Sequence, residues 1–235
     1  MKRSYSLKIL FFISIFPIVL FGQKVNDSII LNFNHSFNKE SISKNKWYVS
    51  DKNDSIQFKK IIFYLTDFNL KKGLNDTKIA ESNFLINAFE NESSSINLPL
   101  ENIFNKEIDS ISFNIGVNEN LNTDGALGGA LDPEHGMYWS WQSGYINFKI
   151  EGISPSCNTR KNKFQFHIGG YKSPFPTIQR VTFGPKSQQG NTIDFEVDLA
   201  ILFNSINLKE TNQVMTPGKE AKTIADQLPN LFSVK

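Results

Sequence analysis

The chain has 235 residues, a net charge of +2 and one cysteine, Cys157. Basic residues are scattered without a stripe that could follow a phosphate backbone, so nucleic acid is not expected as a partner. A lone cysteine excludes an intramolecular disulfide. The 21 phenylalanines against 3 methionines indicate one domain with a bulky aromatic core.

The first 22 residues predict an exported protein. Positive residues precede an apolar run over residues 9–20, and Gly22 offers a small residue at a plausible cleavage position. The run is shorter than a membrane-spanning helix needs, and Pro17 interrupts it. We therefore expect a cleaved signal peptide at 1–22 and a single domain at 23–235. The mature chain should lie in the periplasm or outside the cell, without a membrane span.

Strand patterns dominate the mature chain. Alternating or continuous apolar runs, separated by polar turn clusters, predict strands at residues 28–33, 55–65, 83–89, 108–117, 145–153, 163–168, 178–183 and 192–203. Eight or more strands with almost no helical periodicity favour an all-β, antiparallel β-sandwich of an immunoglobulin-like or jelly-roll-like kind.

Two segments depart from this pattern. Thr216 and Pro217 could open a short C-terminal helix whose apolar face would lie on the sandwich. Residues 118–144 form a long inserted loop, which in a compact domain is usually functional. Oxygen-bearing residues at alternate positions in 120–124 resemble the opening of a Ca²⁺ loop, but Leu131 stands where the bidentate acid is needed. Calcium is therefore a weak alternative.

The end of this loop carries the most specific motif of the chain, LDPEHGMYWSWQSGYINFKIEG at 131–152. Three further pieces accompany it in order: NFNH at 32–35, FYLTD at 63–67 and FHIGGY at 166–171. Together they resemble the MbnP-like family. Its members are exported copper-binding proteins associated with methanobactin and di-haem partners. The resemblance spans most of the mature chain and so describes a domain.

This resemblance implies a β-rich fold and a role in binding Cu(I), in copper acquisition or homeostasis. In relatives a separate di-haem, peroxidase-like enzyme oxidises one tryptophan to kynurenine, and kynurenine and histidine side chains form the copper site. Carried over to this sequence, the implied ligands are His35, His167 and one of Trp139 or Trp141. The implied partners are the copper ion and the modifying enzyme.

The histidines can also be considered from chemistry alone. The chain has three, His35, His135 and His167, and none forms a local pair, so only the fold could assemble a site. His35 continues an inward-facing row of strand residues. His167 has the parity of Gln165, so it should point away from the aromatic side of its strand unless the following glycines bend the chain. His135 lies within the loop as a further candidate.

The two loop tryptophans allow three interpretations. Met137, Trp139 and Trp141 share one parity, so they could form the buried face of a strand. They could also provide the copper contact described above. A third possibility is a surface module that binds glycans or peptides through exposed Trp and Tyr rings. No nucleophile elbow, phosphate loop or HExxH motif is present, and we expect no enzymatic activity.

Overall fold

The computed structural model describes residues 28–80, 82–90, 94–99, 108–184 and 191–235. The predicted signal peptide lies outside these residues. Within them, no helix is both long enough and apolar enough to span a bilayer. The structure is mostly β, and its strands form two sheets.

The elements of the described residues are named here in chain order. The strands are β1 (Ser28–Phe37), β2 (Glu40–Ser41), β3 (Trp47–Val49), β4 (Ser55–Lys72), β5 (Asn75–Lys78), β6 (Asn83–Asn87), β7 (Ser95–Pro99), β8 (Ser110–Ile115), β9 (Tyr138–Ser140), β10 (Gly144–Ile153), β11 (Lys163–Gly169), β12 (Gln179–Phe183), β13 (Thr192–Asp198), β14 (Gln213–Val214) and β15 (Phe232–Val234). The helices are α1 (Glu119–Thr123), α2 (Ala200–Ser205) and α3 (Lys219–Ala225).

The smaller sheet is built around β1. Strand β13 pairs with it in parallel, from Ile30 opposite Thr192 to Ser36 opposite Asp198, and β15 adds antiparallel to β13. The other edge of β1 pairs with β7 and then with β2. The parallel β1–β13 pair corrects the prediction of a purely antiparallel fold. A parallel partner follows a long crossover, which a strand pattern read along the sequence does not reveal.

The larger sheet is built around β4, the longest strand. Its first half pairs with β10 and its second half with β8. Strands β11 and β14 extend the sheet beyond β10, and β12 extends it beyond β8. Strands β3, β6 and β5 also pair with β4. The β11–β14 pair is parallel, so this sheet is mixed as well.

Aromatic side chains fill the space between the two sheets. The Phe33 ring of β1 lies 6.0 Å from the Phe113 ring of β8, edge to face. Phe63 and Phe148, on neighbouring strands of the larger sheet, stack at 4.6 Å. These side chains belong to one buried apolar cluster that draws on both sheets. The aromatic core expected from composition is therefore present, in a sandwich-like arrangement.

The eight predicted strands are confirmed, with changed boundaries. Strand β4 continues to Lys72, and β13 ends at Asp198. The segment after it, predicted as strand, is α2; the Asp198 carboxylate accepts a hydrogen bond from the Ala200 amide at 3.0 Å and begins the turn. The additional strands of two to five residues are too short to show an alternation.

The predicted C-terminal helix is confirmed, but it begins later than predicted. Helix α3 starts at Lys219 and is preceded by Gly218, which provides no side-chain cap. The prediction that Thr216 and Pro217 open the helix is therefore wrong. Its apolar face is as expected, because Ala221, Ile224 and Ala225 are buried.

Candidate metal centre

Residues 118–144 cover the outer face of the larger sheet. They contain α1, 3₁₀ turns at Gly129–Leu131 and Pro133–His135, and β9, so the predicted loop is largely ordered structure. Outward-facing side chains of the sheet and side chains of this segment form a second buried apolar cluster, separate from the main core. Its fully buried members are Tyr64, Val117, Leu131, Met137, Tyr145 and Ile146.

Trp139 packs against β11 on this outer face. A Cβ atom at Gly169 would lie 2.8 Å from Cζ3 of Trp139, so the ring can approach the backbone only because residue 169 is glycine. Trp141, in contrast, is 68% exposed. Strand β9 ends at Ser140 and a turn follows, so Trp141 no longer shares the face of Met137 and Trp139.

His167 also faces outward. Its neighbours Phe164, Phe166 and Ile168 lie in the main core, and His167 pairs across strands with Lys149. The glycine pair after it does not re-aim its ring towards the core. His167 is 7% exposed, and its Nε2 lies 2.7 Å from a Glu151 carboxylate oxygen. Although Trp139 is distant from His167 in the sequence, its ring packs on Gly169, two residues further along β11.

The Glu151 contact determines which ring nitrogen is available. The hydrogen bond to His167 holds the pKa of the Glu151 carboxyl below its usual range, so Glu151 is ionised and accepts. A neutral His167 then carries its proton on Nε2 and keeps a lone pair on Nδ1. A carboxylate that fixes a histidine tautomer in this way is typical support for a metal ligand.

Lys149 completes a group of side chains that we call the outer-face cluster: Trp139, Lys149, Glu151 and His167. Lys149 is buried, and its ammonium donates to the Gly136 carbonyl of the covering segment. Burial lowers the pKa of Lys149, and the Glu151 charge partly opposes this. Sequence reasoning missed Lys149 and Glu151. Their parity in β10 was visible, but the pairing of β10 with β11 was not.

His35 lies on the other side of the larger sheet. It continues the inward row of β1 as predicted, is 8% exposed, and its ring centroid lies 5.8 Å from that of Phe63 in the core. Burial lowers the pKa of the His35 imidazole to about 4, and Glu196 opposes this only in part. Its Nε2 has no hydrogen-bond partner among the described residues. His35 is therefore neutral at pH 7.

The structure does not bring the predicted ligands to one point. His35 faces the core and His167 faces outward, so the backbone of the larger sheet separates the two rings. His135 lies on the outer side within the covering segment, exposed, with Nε2 3.1 Å from the Gly129 carbonyl oxygen. In the described part of the chain, no three His, Cys, Asp or Glu side chains converge as a metal site. Of the three histidines, His167 is the one whose ring nitrogen is hydrogen-bonded to a carboxylate in the described residues.

The structure also accounts for the calcium alternative and for the single cysteine. The Ca²⁺-like stretch forms α1, and the Asn122 side chain is used internally: Nδ2 donates to the carbonyls of Val117 and Asn118, and Oδ1 accepts from the Tyr145 amide. Cys157 is buried in the main core, and burial raises the pKa of its thiol to about 11. A thiol with such a pKa is a poor ligand or nucleophile at neutral pH.

Comparison with known proteins identifies relatives. The family model MbnP matches residues 26–216. Among solved structures, MbnP from Methylosinus trichosporium superposes with a TM-score of 0.65, at 14% sequence identity, over 89% of this chain and 98% of that chain. No curated protein sequence matches the chain. The family match covers most of the chain, and the structural match concerns the fold.

Proposed function

The chain belongs to the MbnP family, and from this premise we propose that it is an exported copper-binding protein with no catalytic turnover of its own. It would hold Cu(I) at the outer-face cluster, in copper acquisition or homeostasis. Export is supported by the charged start and apolar run of the first 22 residues. Membership of the family supports the copper-related role.

The observation that carries the proposal is that Trp139 packs on Gly169, two residues along β11 from His167. An imidazole whose tautomer is fixed by Glu151 lies two residues from the glycine that receives the Trp139 ring. Neutral imidazole suits Cu(I). Indole offers no good donor lone pair, whereas the aniline amine and carbonyl of kynurenine do. Trp139 is therefore the tryptophan we expect the di-haem, peroxidase-like partner to oxidise, in preference to the exposed Trp141.

The neighbouring charges suit a site that binds copper reversibly. Lys149, directly opposite His167 in the strand pairing, repels a cation, and Glu151 compensates. The burial that lowers the pKa of Lys149 also reduces the cost of its losing a proton as a cation enters. We therefore expect Cu(I) affinity to increase with pH.

The first experiment is metal analysis combined with peptide mass spectrometry on protein purified from its own host. We expect near-stoichiometric copper and a Trp139-containing peptide with the mass of kynurenine. Copper with an unmodified Trp139 would retain the binding role and remove the kynurenine. No copper, even after anaerobic loading with Cu(I), would refute the proposal.

Substitutions then test which histidine binds the metal. His167→Ala should reduce Cu(I) affinity by about 100-fold or more, and Glu151→Gln by about 10- to 100-fold, since it removes the tautomer-fixing carboxylate. His135→Ala is the matched control on the same outer side and should have little effect. The competing site inside the core predicts the opposite result: a loss of binding in His35→Ala and none in His167→Ala.

A further inference from the structure

A cleft of about 320 Å³ opens beside the turn that joins β9 to β10. The segment after β11 forms one wall, with Tyr171 and Phe175, and the turn forms the other, with Gln142 and Ser143. Phe175 is 38% exposed although it is aromatic. The copper proposal uses none of these side chains.

Aromatic rings are held in place around this cleft. The Tyr171 hydroxyl donates to the Trp141 carbonyl at 3.3 Å, which ties the two walls together. A Cβ at Gly144 would lie 2.9 Å from Tyr171 Cδ1, so the Tyr171 ring rests on the glycine that begins β10. Trp141 directly precedes the lining residue Gln142 and leaves two thirds of its surface in water. Phe175 in the cleft and Trp141 one residue from its lining are both exposed large aromatic side chains, and exposed apolar surface beside a groove is typical of a ligand site.

Polar groups alternate with these rings. An amide (Gln142), two hydroxyls (Ser143 and Ser173) and an ammonium (Lys172) line the same cleft. The Lys172 ammonium lies 5.3 Å from the centroid of the Tyr171 ring. Among the described residues no carboxylate lines it, so these residues offer neutral donors and acceptors and one cation. This composition does not suit a cationic ligand, and a single lysine provides too little positive charge to bind a polyanion.

We propose that this cleft binds a neutral, linear glycan of equatorially linked sugars, with Trp141 as the stacking platform. Such sugars have two flat faces of C–H groups and a rim of hydroxyls. The electron-rich faces of aromatic rings attract the C–H groups, and the amide and hydroxyl side chains match the rim. Aromatic rings combined with a few placed polar groups are the usual construction of a small-ligand site.

The test titrates the apo protein, in chelator, with two uncharged β-1,4-linked probes, cellohexaose and chitohexaose. Tryptophan fluorescence and amide chemical shifts report binding. At least one probe should bind and shift the amides of residues 141–143 and 171–175. Binding of neither, or shifts confined to other residues, would overturn the proposal. Preference for an oligoproline peptide over both sugars would also overturn it, in favour of a peptide site.

The chain provides a matched pair of exposed tryptophans. Trp47 is 48% exposed and lies in β3. This strand pairs with the start of β4, which pairs on its other side with the last residues of β10. Trp47 is therefore at the opposite end of β10 from the cleft. Trp141→Ala should weaken glycan binding about tenfold, and Trp141→Phe should restore part of it. Trp47→Ala should leave binding unchanged. Equal effects of the two alanine variants would refute the assignment. Both variants should keep wild-type Cu(I) affinity, so this proposal can fail while the copper proposal stands.

Discussion

At the scale of single residues, His35 is the most unusual side chain of the core. It is an imidazole packed against Phe63, with an Nε2 that has no hydrogen-bond partner in the described chain. Protonation would place a charge there, and burial makes this costly. The lowered pKa, about 4 against 6.5 for a free imidazole, therefore links His35 to the stability of the whole fold.

The sign of this linkage follows from the two pKa values. Between pH 6.5 and pH 4 the unfolded state binds a proton at His35 that the folded state does not. The stability that the fold gains by keeping His35 neutral is therefore fully present above pH 6.5 and is lost as the pH falls towards 4. At pH 5 the loss is on the order of 2 kcal/mol. His35→Leu should remove it, and so the variant should lose less stability than the wild type between pH 7 and pH 5.

The measurement is urea unfolding of the metal-free protein at both pH values. The control is His135→Ala, which replaces an exposed histidine and should retain the pH dependence of the wild type. Protonation of carboxylates such as Glu151, whose pKa is lowered in the fold, also destabilises the protein in acid. This effect should be equal in all three proteins. A His35→Leu variant with the full wild-type dependence would show that His35 already takes up its proton in the folded state.

At the scale of elements, Asn122 attaches the covering segment to the larger sheet. It is buried in α1, and its amide joins the residues before the helix to the first residues of β10. Asn122→Ala removes three hydrogen bonds and leaves the Tyr145 amide and the Val117 carbonyl without this partner. We expect a loss of about 2–4 kcal/mol in the free energy of unfolding, together with faster hydrogen exchange in residues 118–144.

Asn120→Ala is the matched control, because Asn120 is exposed in the same helix. It should change stability by less than about 0.5 kcal/mol. If both asparagines could be replaced at equal cost, the order of the covering segment would depend on apolar burial alone. Calcium titration adds a second result: neither variant nor wild type should gain stability from Ca²⁺, since the Asn122 oxygen is committed to Tyr145.

The directions of single strands could be predicted from the sequence, but the positions of the strands relative to one another could not. Alternation in β1 and β11 was predictable because one face of each strand is in the core, and it also gave the correct directions of His35 and His167. The relation between the two rings was not predictable. It depends on which sheet holds each strand, and β1 finds its parallel partner β13 more than 150 residues away. Strand parity gives a direction relative to a sheet, but not the sheet's position.

Short-range signals failed for a related reason. Trp141 continues the parity of Trp139 in the sequence, but the turn after Ser140 separates one partly buried ring from one exposed ring. The separation divides the family motif between two surfaces. Trp139 belongs to the outer-face cluster, whereas Trp141 directly precedes the cleft residue Gln142, which is why the two proposals can be tested with different tryptophans.

At the scale of the whole molecule, the two sheets are joined through a common aromatic contact near the C-terminus. Phe232 of β15 belongs to the smaller sheet and is 5% exposed. Its ring centroid lies 5.9 Å from that of Phe63 and 6.1 Å from that of Phe113, both in the larger sheet, and 6.4 Å from that of Phe33 in β1. The last strand, β15, therefore packs into the same core as the first described strand, β1, and contacts the larger sheet directly.

Phe232→Ala should consequently destabilise both sheets together. Removing a fully packed phenylalanine costs about 3–5 kcal/mol, and a shared core predicts one cooperative unfolding transition with a lower midpoint. Phe175→Ala, at an exposed ring, should cost less than about 1 kcal/mol. Urea unfolding followed by far-ultraviolet circular dichroism and by tryptophan fluorescence is the measurement. Since β15 pairs only at the edge of the smaller sheet, two separate transitions in Phe232→Ala would show that the larger sheet and its outer-face cluster are stable without it.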